Sequence, residues 1–410
     1  MLLSDGIMMT PRRRVAFRII GPAVAFALPL TQARTQSAPD KPKTRPWRIS
    51  STVEVTTLYD NNVYRLPDNK LDDLASPSAS SLMSGRYIEM ESSGDLVTML
   101  RAATELTGPG IAGRRVTLGP RVEYDAYARN GKRRNLTLSL GIEQAFRHDG
   151  RLRLRARMMP GYFAKNYLTD ALDRNGDGSI ASNERIYAPG TYTEQELSLD
   201  YQFRVAKSTK ARPFGAALRL GAGYYGRTYD GPFAGRDISG PTVKLSLPVD
   251  LTRRLSTEVS YERVQLSATP TRSVLLIDEP QFQRDFNGNG RTSDLSARAF
   301  EMIDRSRTES SVDLESRYEL TRRVDLRFDF DRRSRTYEST EPYDIANNGR
   351  RDWRNEFGLE MDWNMAHGLH VIAAGRTSAQ TLNRENDPGA AGEVDDYHRK
   401  QFSLGLTRRF

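Results

Sequence analysis

The 410-residue sequence contains no cysteine and only four histidines. The lack of cysteine excludes a disulfide framework, so stability must come from the hydrogen-bonded backbone and from packing. Beyond residue 30 the chain also lacks any run of about 18 apolar residues, which excludes a transmembrane helix there. Hydrophobic residues make up 38% of the chain and the formal net charge is +9. Such a polar chain usually shows helical periodicity, but almost none is present here.

The first 33 residues have the features of an export signal. Residues 11–18 are basic, residues 19–30 are apolar, and Thr31 and Ala33 supply small side chains at the two positions that matter for cleavage. The apolar stretch is too short to cross a bilayer as a helix. An uncleaved N-terminal anchor is the alternative interpretation. We therefore expect a signal peptide over 1–33, a short periplasmic segment over 34–46 and a folded domain over 47–410.

Alternation of apolar and polar residues with a period of two runs along most of this domain, and it predicts β-strands. In 151–158, for example, Leu152, Leu154, Ala156 and Met158 alternate with arginines. The pattern predicts about fourteen strands, an even number as in single-chain bacterial barrels. These strands are 47–59, 95–106, 113–126, 134–146, 151–162, 196–205, 213–226, 242–251, 255–266, 310–320, 323–331, 353–363, 368–377 and 398–410.

The connections between these strands alternate in length down the chain. Short links near 107–112, 147–150 and 206–212 are interspersed with long ones such as 60–94 and 166–192. Transmembrane barrels show this pattern, with short periplasmic turns and long external loops. The expected fold is therefore all-β, a transmembrane antiparallel up-and-down β-barrel of about fourteen strands. A β-propeller or β-sandwich is the alternative, and it would not explain the alternating link lengths.

The C-terminus supports the same fold class. Phe402, Leu404, Leu406 and Phe410 lie on one face of the last predicted strand, and Phe410 is the final residue. This pattern resembles the C-terminal signal of bacterial outer-membrane β-barrel proteins, which the barrel-assembly machinery reads; Arg408 departs from it, because an apolar residue usually stands there. The resemblance implies a porin-like protein of the bacterial outer membrane.

A second, shorter resemblance lies at the end of the first strand. Residues 58–64 read Leu-Tyr-Asp-Asn-Asn-Val-Tyr. They are similar to the opening strand of putative porin families and of the surface lipoprotein assembly modifiers, whose barrel also has about fourteen strands. Those modifiers usually carry a helical-repeat domain before the barrel. Here we expect that domain to be missing, because only about a dozen residues separate the predicted cleavage site from the first strand.

Two segments in predicted external loops resemble EF-hand calcium loops, which supply a hard cation with many oxygen ligands. The first segment spans 173–184 and matches at every main position. Its candidate ligands are Asp173, Asn175, Asp177, Ser179 and Glu184. The second begins at Asp285, has Ser296 in place of the bidentate glutamate, and offers Asp285, Asn287, Asn289 and Asp294. The alternative for both is a polar turn rich in Asn, Asp and Gly.

Catalysis is not expected. A barrel phospholipase would need a serine beside a histidine, and no His-x-Ser occurs; a barrel protease would need a histidine among acids, for which His398 is the only candidate. Nucleic acid is not an expected partner either, because the arginines are spread along alternating strands without clustered aromatics. The basic balance favours anionic partners, such as lipopolysaccharide or acidic solutes.

Charged residues at inward positions predict a water-filled lumen. One predicted strand presents four arginines in succession, and later strands present acids on the corresponding face. These residues are Arg151, Arg153, Arg155 and Arg157, and then Asp325, Asp329, Asp331, Glu356 and Glu360. Either the two sets face each other across water, or the arginines pair locally with Glu143, Glu196 and Asp200 on neighbouring strands. The sequence leaves both possibilities open.

The expected function is an outer-membrane channel for small polar or charged solutes. Barrels of eight strands fill their interior and those of sixteen to eighteen hold an aqueous channel, so fourteen strands leave room for a lumen that loops can narrow. The alternative is an outer-membrane translocator or assembly factor for surface proteins or polysaccharide. Outer-membrane lipid, lipopolysaccharide, the barrel-assembly machinery and small solutes are the expected partners.

Overall fold

The computed structural model describes residues 47–77, 85–146, 149–171, 185–207, 214–269, 271–272, 302–340, 344, 347–365, 368–384 and 396–410. Most of these residues are in β-strands. The strands are β1 (Arg48–Asp60), β2 (Asp95–Pro109), β3 (Arg115–Tyr127), β4 (Asn135–Ala145), β5 (Arg151–Ala171), β6 (Arg185–Ala206), β7 (Gly215–Tyr229), β8 (Ile238–Asp250), β9 (Leu255–Ala268), β10 (Thr271–Arg272), β11 (Met302–Ile303), β12 (Arg307–Thr321), β13 (Val324–Tyr337), β14 (Arg350–Asn364), β15 (Leu369–Arg384) and β16 (Tyr397–Arg409).

Fourteen of these strands form one closed antiparallel barrel in which neighbours in sequence are neighbours in the sheet. The first strand closes the ring against the last, with Val55 opposite Leu406 and Tyr59 opposite Phe402. At the end of this seam, Ser51 and Phe410 exchange backbone hydrogen bonds of 2.8 and 3.3 Å. The short strands β10 and β11 pair only with each other. The predicted fold class and strand number are therefore confirmed.

The outer surface of the barrel is an apolar belt, because the apolar half of each alternating pattern points outward. Leu404 and Leu406 are 61% and 53% exposed, and Leu138 and Leu197 are 41% and 51% exposed. Exposed aromatic side chains lie toward both ends of the strands. Trp47, Tyr201, Phe214, Tyr318, Trp363 and Phe410 lie toward the end with the short turns, and Tyr59, Tyr124 and Tyr224 toward the other. An apolar belt between aromatic girdles is the lipid-facing surface of a transmembrane barrel.

The predicted alternation of link lengths holds for most of the chain, although the links 128–134 and 230–237 are no longer than 207–214 at the other end. Turns such as 110–114, 251–254 and 322–323 lie at the end of the barrel that also holds Trp47 and Phe410. The longer connections, including 61–94 and 338–349, lie at the opposite end. Trp47 and Phe410, the first and last described residues, share the first end, so the topology typical of this fold class places the second end outside.

Two strands extend much further than predicted. The sequence pattern placed strands over 151–162 and 196–205, whereas β5 reaches Ala171 and β6 starts at Arg185. Three register shifts interrupt their pairing, and the first surrounds Gly161, which has a φ of 59°. A bulge adds a residue to one strand and reverses which side chains face inward. The period of two is therefore lost beyond residue 159, although the hydrogen-bonded ladder continues.

The helical content is small. The α-helix α1 (Asp68–Ala75) and the 3₁₀ turns Ile111–Gly113, Gly131–Arg133 and Gly231–Arg236 all lie in connections between strands. Within the part of the chain that the structure describes, no helix has the length and apolar character needed to cross a membrane.

The outward face of β16 yields a stability prediction. Replacing Leu404, in the middle of the strand, by arginine would place a charge in the hydrocarbon region. We expect this substitution to lower the free energy of unfolding by about 2–4 kcal/mol. Chemical denaturation in lipid vesicles, followed by tryptophan fluorescence, measures the change. Ser403→Arg is the matched control, because Ser403 faces the lumen and should change stability little; equal losses in both variants would contradict the assigned register.

Candidate functional site

The four arginines of β5 lie on the lumen side of the barrel wall. Each one contacts a carboxylate of an adjacent strand. Arg155 and Arg157 form salt bridges with acids of β6, whereas Arg151 and Arg153 form theirs with an acid of β4. Nη1 of Arg157 lies 2.7 Å from Glu194, and Nη1 of Arg155 lies 3.6 Å from Asp200. Arg153 and Arg151 share Glu143 of β4, at 2.6 and 3.5 Å. Glu196, expected from the sequence as a partner, stands opposite Arg157 in the ladder, but Arg157 turns to Glu194.

The predicted lumen acids of β13 and β14 are also paired with nearby basic residues. Arg317 lies 2.6 Å from Asp325, Arg354 lies 3.2 Å from Asp331, and Arg376 contacts Asp329 and Glu356 at 3.6 and 3.3 Å. Arg327 lies 3.4 Å from Glu360. The β5 arginines and the acids of β13 and β14 are thus both paired with residues of nearby strands. The geometry favours local pairing over two uncompensated walls that face each other across water.

Two cavities open inside the barrel. A cavity of ≈ 850 Å³ is lined by residues of β1 to β6 and by Arg409 of β16, and its lining includes Ser139 and the β5 arginines Arg153, Arg155 and Arg157. A second, of ≈ 380 Å³, is lined by β6 to β9 and β12 to β14, together with Arg65 from the connection after β1. Glu196 lines both cavities, so they meet at this residue. The lumen is therefore wet and charged along most of the described wall.

The connection after β1, residues 61–94, is loop L1, and its described parts, 61–77 and 85–94, are folded. Its residues Val63, Leu66, Leu74 and Tyr87 bury against Phe163 of the β5 extension. The start of the loop is fixed at Asp60, which is 2% exposed and accepts hydrogen bonds from Nε of Arg399 at 3.0 Å and from the backbone N–H of Asn62 at 3.0 Å. Packing of this kind gives L1 a defined position over the external end of the lumen.

A buried polar centre fixes the other end of L1. The amide oxygen of Asn130, a fully buried residue, accepts bonds from the Tyr64 hydroxyl at 2.9 Å and from the Glu91 N–H at 2.9 Å. Its amide nitrogen donates to the carbonyl of Ser92 and to Asp95, each at 2.9 Å. Burial of Tyr64 among these groups raises the pKa of its hydroxyl. A satisfied network in a dry environment holds one arrangement of the chain.

An arginine and several tyrosines join L1 to the barrel wall. The guanidinium of Arg133 lies over the rings of Tyr64, Tyr162 and Tyr127, 4.8, 5.0 and 5.8 Å from their centroids. Its Nη1 donates to the carbonyl of Ala164 at 2.8 Å, and Nη2 donates to the Tyr162 hydroxyl. Cation–π contacts that are shielded from water stabilise such a junction.

The two predicted calcium segments, 173–184 and 285–296, lie outside the described residues. Among the residues that are described, no group of three or more acids or histidines is placed to hold a metal ion. His398 belongs to β16, and His370 lies 3.1 Å from Asp362.

The sequence missed the residues that surround the smaller cavity. Arg333 and Arg335 continue the inward alternation of β13 past residue 331, where the predicted strand stopped, so a longer window would have included them. Arg65 could not be found from periodicity, because it belongs to a loop. The only signal was the Asp60-Asn61-Asn62 sequence, which is rich in turn-forming residues.

Comparison with known proteins adds fold relatives only. No protein-family model matches the chain, and no curated protein matches it. Similar solved structures include in-vitro folded OmpT, an outer membrane protein of Vibrio cholerae (10% identity, TM-score 0.38, 89% of this chain and 98% of that one). They also include the outer membrane channel DcaP of Acinetobacter baumannii (8%, 0.38, 89% and 97%) and an anion-selective porin from Comamonas acidovorans (9%, 0.35, 89% and 99%). Scores this low carry no argument about function.

The Asn130 network predicts how L1 is held. Asn130→Ala removes the acceptor of Tyr64 and Glu91, and each buried group left unpaired costs about 1–3 kcal/mol. We expect faster amide hydrogen exchange at Glu91 and Ser92, measured by mass spectrometry, with unchanged exchange in the barrel strands. Ser93→Ala is the control, since Ser93 uses its backbone carbonyl to accept from Val63. If exchange in 85–95 is the same in the wild type and in Asn130→Ala, the network does not position L1.

Proposed function

We propose that this protein is a channel of the bacterial outer membrane that passes small charged or polar solutes. The observation that supports this proposal is the lumen: a ring of fourteen strands surrounds two cavities that meet at Glu196. Eight-stranded barrels fill their interior with side chains, and those of sixteen or more strands hold aqueous pores. A fourteen-stranded wall with ionised side chains along its inner face is suited to solutes that keep much of their water.

The distribution of charge supports selection by charge rather than by apolar contact. Inward arginines and acids form salt bridges around the wall. The lumen therefore presents ion pairs, together with a few arginines that form no salt bridge within the described part of the chain. Each exposed pair contributes little to stability, about 0–1 kcal/mol. Their arrangement therefore bears on solute passage more than on folding. A channel function requires no catalytic group, and none is proposed.

The proposed location implies an export route and partners. The basic and apolar segments in 1–33 would direct export, with cleavage after Ala33, and Phe402, Leu404, Leu406 and Phe410 would form the signal for the barrel-assembly machinery. The outward position of Phe402, Leu404 and Leu406 is compatible with this role. Lipopolysaccharide is the proposed partner of the external basic residues. Mass spectrometry of the protein purified from outer membranes should give an N-terminus at Arg34; an intact N-terminus would refute cleavage.

Calcium binding by loop 173–184 is a separate proposal, which rests on the sequence of that loop. Extracellular sites of this kind bind Ca²⁺ with dissociation constants of about 10⁻⁴–10⁻³ M. Calorimetry on the folded protein should detect this binding, and Glu184→Ala should abolish it without unfolding the barrel. If the wild type shows no heat of binding at millimolar Ca²⁺, the loop is a polar turn.

The channel proposal predicts that a thiol in the lumen controls the current. The chain has no cysteine, so Ser139→Cys introduces a single reactive group in the larger cavity. A bulky, water-soluble thiol reagent should then reduce single-channel conductance in a planar bilayer. Leu138→Cys is the control, because Leu138 is 41% exposed on the lipid face and does not line the cavity, so its modification should leave the current unchanged.

Three results would count against a channel of this geometry. The wild type could show no conductance, which would favour the translocator hypothesis. The reagent could act equally at positions 138 and 139, which would contradict the assigned faces. Finally, modification at position 139 could leave the current unchanged, which would place the conducting path elsewhere.

A further inference from the structure

Loop L1 directs one arginine into the smaller cavity. Arg65 has a φ of 52°, the left-handed region that side-chain-bearing residues rarely occupy. Asn62 holds the turn: its Oδ1 accepts from the Leu66 N–H at 2.9 Å, its Nδ2 donates to the Leu66 carbonyl at 2.8 Å, and its carbonyl accepts from the Arg65 N–H at 3.1 Å. Asn62 itself is fully buried. Backbone strain that is held this firmly is characteristic of functional positions.

Arg65 is placed where a cation is unfavourable. Its side chain is exposed to the lumen and lines the ≈ 380 Å³ cavity. The surrounding protein, followed by the positive charges of Arg399 and Arg354, lowers the pKa of Arg65 to about 10. Tyr397 and Glu356 oppose this effect only in part. Within the described residues, no carboxylate forms a salt bridge with Arg65. The turn therefore presents a guanidinium without a counterion.

The wall of the cavity also carries more positive than negative charge. Six arginines and four glutamates line it: Arg65, Arg227, Arg307, Arg333, Arg335 and Arg354, and Glu194, Glu196, Glu262 and Glu309. Two of these carboxylates are each shared by two arginines. Glu309 contacts both Arg307 and Arg335, at 2.7 and 3.2 Å, and Glu194 contacts both Arg157 and Arg227, at 2.7 and 3.0 Å.

A second arginine of this wall has no partner of its own. Arg333 forms no salt bridge with any described carboxylate, although it lies in the inward row of β13 between Asp331 and Arg335. The adjacent Arg335 already contacts Glu309 at 3.2 Å, and Arg354 contacts Asp331 at 3.2 Å. Arg333 and Arg65 therefore line one cavity as two guanidinium groups that form no salt bridge with a described carboxylate.

We propose that this cavity is a binding site for a small oxyanion, a carboxylate or a phosphate, held by Arg65 of L1 and Arg333 of β13. The planar guanidinium group matches two oxygens of such an anion at once. A cleft whose lining carries an excess of positive charge raises the local concentration of anions. The site would make the channel selective for solutes that carry these groups, and in this respect the inference rests on the proposed channel function.

The test measures how succinate and inorganic phosphate reduce chloride current through single channels in a planar bilayer. We expect both anions to block the wild-type current saturably. The anion with the lower half-blocking concentration is the one that binds more tightly. Arg65→Gln and Arg333→Gln should each raise the half-blocking concentration about tenfold, which corresponds to about 1.4 kcal/mol. Arg65→Lys keeps the positive charge but lacks the planar guanidinium group. Its half-blocking concentration should therefore lie between those of the wild type and Arg65→Gln.

Arg155→Gln is the matched control. It removes the same charge from the lumen, but Arg155 lines the larger cavity and its side chain is 55% exposed. Equal shifts in Arg155→Gln and Arg65→Gln would mean that only the net charge of the lumen matters, and this would overturn the site. Absence of block in the conducting wild type would overturn it as well.

Calorimetry separates failure of the site from failure of the channel. If the folded wild type does not conduct, the same two anions are titrated into the protein in detergent. Binding that weakens in Arg65→Gln but not in Arg155→Gln would retain the site and reject the channel. Absence of binding would reject both. Heat-modifiable electrophoretic mobility confirms that each variant is folded before either measurement.

Discussion

Hydrogen bonding of the backbone in lipid is the constraint on which the rest of this structure depends. Hydrocarbon offers no partners to an exposed strand edge, so a sheet that crosses the membrane must close on itself. Here the closure joins β1 to β16, from Asp60 opposite Gln401 to Thr52 opposite Arg409. Closure fixes the register of all fourteen strands, and the register decides which side chains meet lipid and which meet water.

The same partition explains the crowding of charge inside the barrel. Lipid takes the apolar half of every strand, so arginines and acids can only lie on the inner face, where adjacent strands bring them within reach. Pairs such as Arg153 with Glu143 neutralise most of this wall. L1 then adds Arg65, which forms no salt bridge with the described part of the wall. Asn62 constrains the turn that places Arg65 there. Selectivity is thus inferred from a loop arginine added to a cavity wall that already carries more arginines than glutamates.

Strand alternation predicts the barrel well because it follows directly from this partition. Every predicted strand exists, and the arginines of β5 point inward because Leu154 and Met158 occupy the lipid face. The period fails at Gly161, where a bulge reverses the faces, so the external extensions were missed. The sequence could not distinguish local pairs from opposed walls, since that depends on rotamers such as the turn of Arg157 toward Glu194. It also could not place Arg65, because the position of this residue depends on one asparagine-rich turn outside the strands.

A disulfide across the closing seam tests the central claim most directly. Ser51 and Phe410 form a hydrogen-bonded pair, so Thr56 and Gly405 form a non-hydrogen-bonded pair, whose close approach suits a disulfide. A Cβ at position 405 would lie 3.3 Å from that of Thr56. Oxidised Thr56→Cys/Gly405→Cys should therefore yield one linked peptide by mass spectrometry, and Thr56→Cys/Ser403→Cys, two residues out of register, should yield none. Absence of the 56–405 link in folded protein, or equal linkage in both variants, would contradict a closed barrel of this register.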